Sequence, residues 1–558
     1  MNHSNAETLQ EAPAEGASRT FFISRIFNGW RLSAFAVAVL VLVPLAVIFA
    51  SWVYPTKEIW THLLETVLSS LLVNTFWLVL GVGSGTVLLG VTFAWLTAVC
   101  EYPGRRFFSW SLLLPLAMPT YVLAFVSLGL LDYSGPVQTQ FRQWFGRGVW
   151  FPDFRSTGGV VLVMSLAFYP YVYLLTKNAF MTQGRRALEA AQSLGHGRVR
   201  GFFSVALPMA RPWIAGGATL VLMETLADFG AVSIFNFDTF TTAIYKAWFS
   251  FFSLPAAAQL SSVLVLIVSI LIFLERRMRS RMRFTQSGRM QASSERIHLG
   301  PVARWAAFGL SAFILSIAFI IPVIQLFVWS LEIYHGEFST RYFDWLAHSL
   351  ILGFSGALII CLLALILAYA RRRNPDPLTQ ALVRTTTLGY ALPGTVLAVG
   401  IFIPIAALDN WIIAFFRNVF DVRVGALLNG TVAIMLIAFT VRFMAAGFNS
   451  IDSAMHRVTP SIDEAARLMG LKGLSILRRI HLPVVRGGLL TAAALVFVDI
   501  MKEMPITLMT RPFGWDTLSV KIFELTSEGE WERAALPAII LVLSGLLPII
   551  LLVKSSEK

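Results

Sequence analysis

The sequence predicts an all-α polytopic membrane protein, with about twelve transmembrane helices arranged as two parallel six-helix repeats. Three observations carry that prediction. Apolar runs of about 20 residues recur along the chain, long enough to cross a bilayer as helices. Only 13% of the residues are charged against 56% hydrophobic, a balance uncommon in a soluble chain of 558 residues. A polar segment also occurs twice, as Glu189-Ala190-Ala191, Gly195 and Leu207-Pro208, then as Glu464-Ala465-Ala466, Gly470 and Leu482-Pro483. The offsets 464 − 189 and 483 − 208 are both 275. A period of that length, with one polar loop per unit, marks two fused halves.

The elements follow in order. Residues 1–30 begin polar and poor in aromatics and read as a disordered N-terminus. The first apolar run, about 32–53, is too long for a signal-peptide core and reads as a retained span. The second, about 70–99, carries Gly81, Gly83, Gly85 and Gly90, small residues that let neighbouring helices approach closely. It ends in the basic turn Glu101 to Arg106. Further spans are expected near 110–131, 158–176, 212–235 and 256–274. Those of the second half fall near 305–331, 349–370, 382–407, 427–446, 487–508 and 534–553. Arg371 to Arg373 end the eighth run as Arg105-Arg106 end the second, and Pro119 matches Pro393 at an offset of 274. The stretch before Glu464 reads about four residues longer than that before Glu189. The resulting organisation is an N-terminus over 1–30, a first repeat over 31–275 with its polar loop at 178–211, a basic linker over 276–303, and a second repeat over 304–558 with its loop at 449–486.

The formal net charge of +13 would suit nucleic acid in a soluble protein. Here the basic residues gather in short loops, which the positive-inside rule explains, and nucleic-acid binding is not expected. The same rule places both termini, both polar loops and the linker in the cytoplasm. An even six spans per half makes the repeat parallel rather than inverted. Cys100 and Cys361 fit no metal spacing and no disulfide framework. No GxxxxGK[ST] phosphate cradle occurs, so the chain has no nucleotide site of that kind. HExxH is missing too, and no nucleophile–base constellation is visible; no catalytic residue and no stable metal site are expected.

Four carboxylates fall inside apolar runs. Glu224 and Asp228 are four apart, as if on one helix face, and Asp499 and Glu503 repeat them at 275. A charge within a bilayer costs at least a few kcal/mol, so duplicated ones need a reason. Three readings fit: an acidic lining of a pathway between the halves, structural pairing with Lys502 or Arg442, and a proton relay. Tyr169, Tyr171 and Tyr173 cluster in the fourth run, where packing is the commoner role. Each polar loop reads as two short helices joined at a turn. In the second copy Ile462, Ala465, Ala466 and Met469 form an apolar side, to be covered by the bundle, by lipid headgroups or by a groove on a partner. The second helix of the first copy, Arg198 to Val205, is expected to end at Pro208.

The Glu-Ala-Ala segment, the glycine six residues on and the closing Leu-Pro resemble the coupling-loop signature of the membrane permeases of binding-protein-dependent ABC importers. Its duplication on six-span halves is similar to the fused permeases of the ferric-iron importer family. Glu224 to Gly230, Thr239 to Trp248, Asp499 to Pro505 and Thr510-Arg511-Pro512 extend the likeness. The first copy departs in having Val205-Ala206 before Leu207-Pro208. The resemblance implies a type I importer permease fold in a bacterial inner membrane. It implies docking of Glu189, Ala190, Ala191, Gly195, Leu207 and Pro208, and of Glu464, Ala465, Ala466, Gly470, Leu482 and Pro483, on two copies of a cytoplasmic ATPase. That ATPase would hold ATP and Mg, leaving this chain without a cofactor. A periplasmic binding protein would deliver ferric iron. Thiamine, a phosphonate or a polyamine is the alternative cargo, and a proton-coupled secondary transporter the alternative class.

Overall fold

The computed structural model describes residues 29–54, 56–184, 197–280, 296–333, 341–471 and 473–556. Glu189, Ala190, Ala191, Gly195 and His196 lie outside them. Among the described residues, twelve helices are long and apolar enough to cross a membrane. They are α1 (Gly29–Val53), α2 (Lys57–Val99), α3 (Thr120–Phe145), α4 (Thr157–Thr182), α5 (Phe202–Ala227), α6 (Leu254–Arg277), α7 (Pro301–Glu332), α8 (Arg341–Arg373), α9 (Gly394–Phe420), α10 (Val432–Met455), α11 (Leu474–Lys502) and α12 (Trp531–Ile550).

The repeat extends to irregular backbone. The run expected over 110–131 is broken: a helix Arg105–Ser111, a 3₁₀ turn Leu114–Ala117, extended residues, then α3. The ninth run breaks alike, with a helix Pro377–Thr386 and a 3₁₀ turn Leu388–Ala391 before α9. Pro119 and Pro393 explain both breaks, because a proline pushes the preceding residue out of the α region. Met118 and Leu392 are indeed extended, at ψ 121° and 129°. The fourth and tenth spans start at Thr157 and Val432, and 432 − 157 is 275. The expected four extra residues before Glu464 are therefore not an insertion before the tenth span.

Pro208 does not end its helix, contrary to the sequence reading, and neither does Pro483. The chain is helical from Arg198 to Ala227 and from Leu474 to Lys502. A single π-helical turn precedes each proline, at Phe202–Ala206 and Leu477–His481. A wider turn accommodates a ring that lacks an N–H and crowds the carbonyl four residues back. The runs expected over 212–235 and 487–508 instead stop at Ala227 and Lys502. Asp228 and Glu503 are extended, with ψ 131° and 113°, and short helices Gly230–Ile234 and Pro505–Thr510 follow.

Packing ties the halves together. The glycine stripe of α2 acts as expected: a Cβ on Gly81, Gly85 or Gly90 would stand 2.8, 2.5 or 2.6 Å from Val161, Ser165 or Val172 of α4. Gly83 instead faces Leu222 of α5. Helix α1 lies against the opposite repeat. Arg31 pairs with Asp376 at 2.8 Å, and Gly400 of α9 packs on Pro44 and Ile48. Helix α7 reciprocates, with Trp329 stacked on Phe125 and on Gly129, and the Ser311 hydroxyl 3.3 Å from that of Tyr102. The end of the linker adds a two-residue parallel pairing of Ile297–His298 with Cys100–Glu101. Cys100 and Cys361 are buried free thiols.

Candidate functional site

The breaks in α5 and α11 open a cavity of about 200 Å³ between the halves. All four carboxylates singled out from the sequence line it. Glu224 lies in the last turn of α5, where its Oε1 accepts a 2.9 Å hydrogen bond from the Tyr390 hydroxyl of the other half. Asp228 is not on that helix face. Its Oδ1 accepts from the backbone N–H groups of Ala231 and Val232 at 2.9 and 3.3 Å, so it caps the next short helix, and its Oδ2 accepts from Thr120 at 2.6 Å. Glu503, at the equivalent place, accepts from the Ile506 N–H at 3.3 Å and pairs with Arg442 at 3.2 Å. Asp499 is half-buried and has no hydrogen bond or ion pair among the described residues. Structural pairing thus describes Glu503, capping describes Asp228, and Glu224 and Asp499 turn their charge to the cavity.

The two halves furnish unequal walls. At an offset of 275, Ala167 and Phe168 correspond to Arg442 and Phe443, and Ala227 to Lys502; all six line the cavity. Both cations therefore come from the second half. Two contacts cross between the halves from equivalent 3₁₀ turns, since 390 − 116 and 388 − 114 are both 274. Tyr390 donates to Glu224, and the Leu116 carbonyl accepts from Lys502 Nζ at 3.0 Å. Tyr390 was not singled out from the sequence. Its only signal is a polar side chain in an otherwise apolar turn before Pro393. Of the tyrosine cluster, Tyr171 lines the cavity, whereas Tyr169 and Tyr173 donate to the carbonyls of Leu112 and Ser109. Among the described residues no group of three or more His, Cys, Asp or Glu could hold a metal ion. The cavity presents carboxylates, phenols and carbonyls without chelating geometry.

The second polar loop is described almost entirely. Its helix Pro460–Leu468 ends at Gly470, whose φ of 83° favours glycine, with the Leu471 N–H returning to the Ala466 carbonyl at 3.0 Å. Ala466 is buried, while Glu464 and Ala465 are exposed. The expected apolar side is divided. Ala466 packs inward, but Ile462 and Ala465 are exposed and Met469 is 72% exposed, as is the neighbouring Leu468 at 90%. Asp463 fastens the loop to the bundle: its carboxylate is 2.6 Å from His481 Nε2 and 2.8 Å from Arg372. Burial alone would push its carboxyl up, but the hydrogen bonds from His481 and Arg372 outweigh that and hold it below the usual carboxylate range. Tyr369 adds a 3.0 Å hydrogen bond to the Gly473 carbonyl. Leu482 and Pro483 sit inside α11, and Leu207 and Pro208 inside α5.

A duplicated twelve-helix bundle, with a polar cavity between its halves and a polar loop joined to each cavity helix, defines a membrane permease. Residues 87–284 match the family described as the binding-protein-dependent transport system inner membrane component. The chain is 29% identical to a Haemophilus influenzae protein named Fe(3+)-transport system permease protein FbpB 2, over 88% of this chain and 91% of that one. It is 30% identical to the Escherichia coli molybdenum transport system permease protein ModB, over 33% of this chain and 82% of that one. A ferric transport system permease protein from Actinobacillus pleuropneumoniae is 24% identical, over 76% of this chain and 62% of its own length. The chain belongs to this family of transport-system inner membrane components.

Proposed function

We propose that this chain is the permease of an ATP-driven importer and that its cargo is ferric iron. The observation that carries the proposal is the placement of Glu224, Asp228, Asp499 and Glu503 around one cavity built by both halves. A hard trivalent cation prefers oxygen ligands, and the wall supplies carboxylates, tyrosine hydroxyls and a carbonyl. The two relatives named for ferric transport, matched over most of this chain, support the same cargo. Four carboxylates against two cations oppose the passage of an oxyanion. A wall without chelating geometry suits a cargo in transit.

A binding protein delivers the cation from one side. On the other side two copies of a separate ATPase, which hold ATP and Mg, grip the loops of Glu189 and Glu464. Both termini lie on that cytoplasmic side. The loops and the cavity are joined by continuous helix. From Pro208 to Glu224 the separation is 224 − 208 = 16 residues, about 24 Å of rod at 1.5 Å per residue. Drawing the loops together therefore moves the carboxylate ends of α5 and α11 and strains the Tyr390–Glu224 and Lys502–Leu116 contacts between the halves. The test is iron uptake in a permease-deletion strain complemented with Glu224→Gln/Asp499→Asn. Radiolabelled iron uptake should fall at least about tenfold with permease abundance unchanged, because the variant removes two of the transit charges. Undiminished uptake would overturn the reading.

A further inference from the structure

Arg442 and Lys502 are the two cations lining the cavity, and they are held differently. Arg442 is fixed by Glu503 and by a 3.0 Å hydrogen bond to the Leu392 carbonyl. Lys502 has no ion pair among the described residues; its ammonium donates to the Leu116 carbonyl at 3.0 Å. A niche accommodates it there. A Cβ on Gly545 of α12 would stand 2.8 Å from that ammonium and 2.2 Å from the Ala117 carbonyl oxygen. The equivalent residue of the first half, Ala227, also lines the cavity and carries no charge. Lys502 follows Asp499 by three residues, so the two share a face of the last turn of α11. A lysine ammonium is a point charge on a flexible four-carbon stem, able to move between a carbonyl niche and a neighbouring carboxylate.

We propose that Lys502 is a tethered counter-cation, which from its carbonyl niche offsets the carboxylates of the cavity and sets the charge an incoming ion must carry to outweigh it. This rests on the reading of the cavity as a cation path. Glu224, Asp228 and Asp499 have no ion pair among the described residues, so their mutual repulsion in the empty state is relieved chiefly by Lys502. An ion of higher charge competes for Asp499 and Glu224 more strongly than the ammonium does and leaves it on the Leu116 carbonyl, where it already rests. A monovalent ion gains too little to outweigh it. Lys502 would thus be a specificity-determining residue for cargo charge, contributed by one half alone.

The test uses the full chain in lipid nanodiscs and terbium(III), a hard trivalent ion whose emission is sensitised by nearby tyrosine; Tyr121, Tyr171 and Tyr390 line the cavity. Lys502→Met should bind terbium at least about tenfold more tightly than the unaltered protein, and calcium binding should tighten as well, by a smaller factor in keeping with its lower charge. Lys502→Arg, which keeps the charge, should stay within about threefold of the unaltered protein. Should the Met variant fail to accumulate, Lys502→Gln carries the same expectation. If Glu224→Gln/Asp499→Asn removes terbium binding while Lys502→Met and Lys502→Gln leave it unchanged, the counter-cation is wrong and the cation path stands. If the carboxylate variant leaves binding unchanged in every background, the cation path fails and the counter-cation with it.

Discussion

Single residues in this chain change meaning with the partner brought to them. Asp463 reads in the sequence as one more acidic residue before Glu464. In the fold it is gripped by His481 and Arg372, and its carboxyl is held below the usual range. A depressed carboxylate contributes stability that is fully present above its unfolded pKa, near about 3.9, and that fades as pH falls through its folded value. Asp463→Asn should therefore loosen the second loop by about 1–2 kcal/mol at neutral pH, after allowance for partial exposure. The deficit should shrink below about pH 4, where the native carboxylate also takes up its proton. Hydrogen exchange of residues 460–481, followed from pH 7 downward, measures both the size and the sign. The four carboxylates show the limit of reading from sequence. Their positions and their 275-residue repeat were legible, because the duplication wrote them twice. Pairing with Arg442 was among the readings and holds for Glu503, but which carboxylate took which role was not legible, because residues far away in the chain decide it: Tyr390 for Glu224, Thr120 for Asp228.

At the level of elements, twelve spans were visible in hydropathy because the lipid-crossing requirement imposes length and apolarity directly. The breaks were not, since mean hydropathy does not distinguish a helical residue from an extended one with the same side chain. Pro119 and Pro393 signalled two of them, through their effect on the preceding residue. Pro208 and Pro483 point the other way: a π-turn absorbed each, leaving a rigid rod between loop and cavity. The loop helix Pro460–Leu468 leaves Leu468 and Met469 exposed, so Leu468→Asp/Met469→Asp should cost the fold less than about 0.5 kcal/mol. The same variant should reduce co-purification of the ATPase at least about tenfold if that surface is the docking site. Retained co-purification would place the docking site elsewhere. The α2–α4 contact makes the opposite case. Gly90→Leu would drive a side chain into Val172 and the Tyr173 backbone, and should destabilise the bundle by about 1–3 kcal/mol or more, read as a lower thermal midpoint in detergent.

For the molecule as a whole, the sequence repeat and the packing units do not coincide. The repeat puts α1 with the first half, yet α1 packs on α8 and α9, and one continuous apolar cluster runs from Val41 and Ile48 to Val396 and Ile405. Cutting the chain within 281–295 and co-expressing the pieces should therefore give a complex that co-purifies, while the piece ending at 280 alone should be degraded. Recovery of the first piece by itself in equal yield would contradict this. The exchange also sets a schedule for synthesis. Arg31 meets Asp376 across 345 residues of chain, and at about 5–20 residues per second that partner emerges roughly 20–70 seconds later. For that interval the newly inserted α1 has only its own repeat and lipid for company. The first half waits in the bilayer with one flank open, and the fused chain guarantees that the helices arriving to close it are its own.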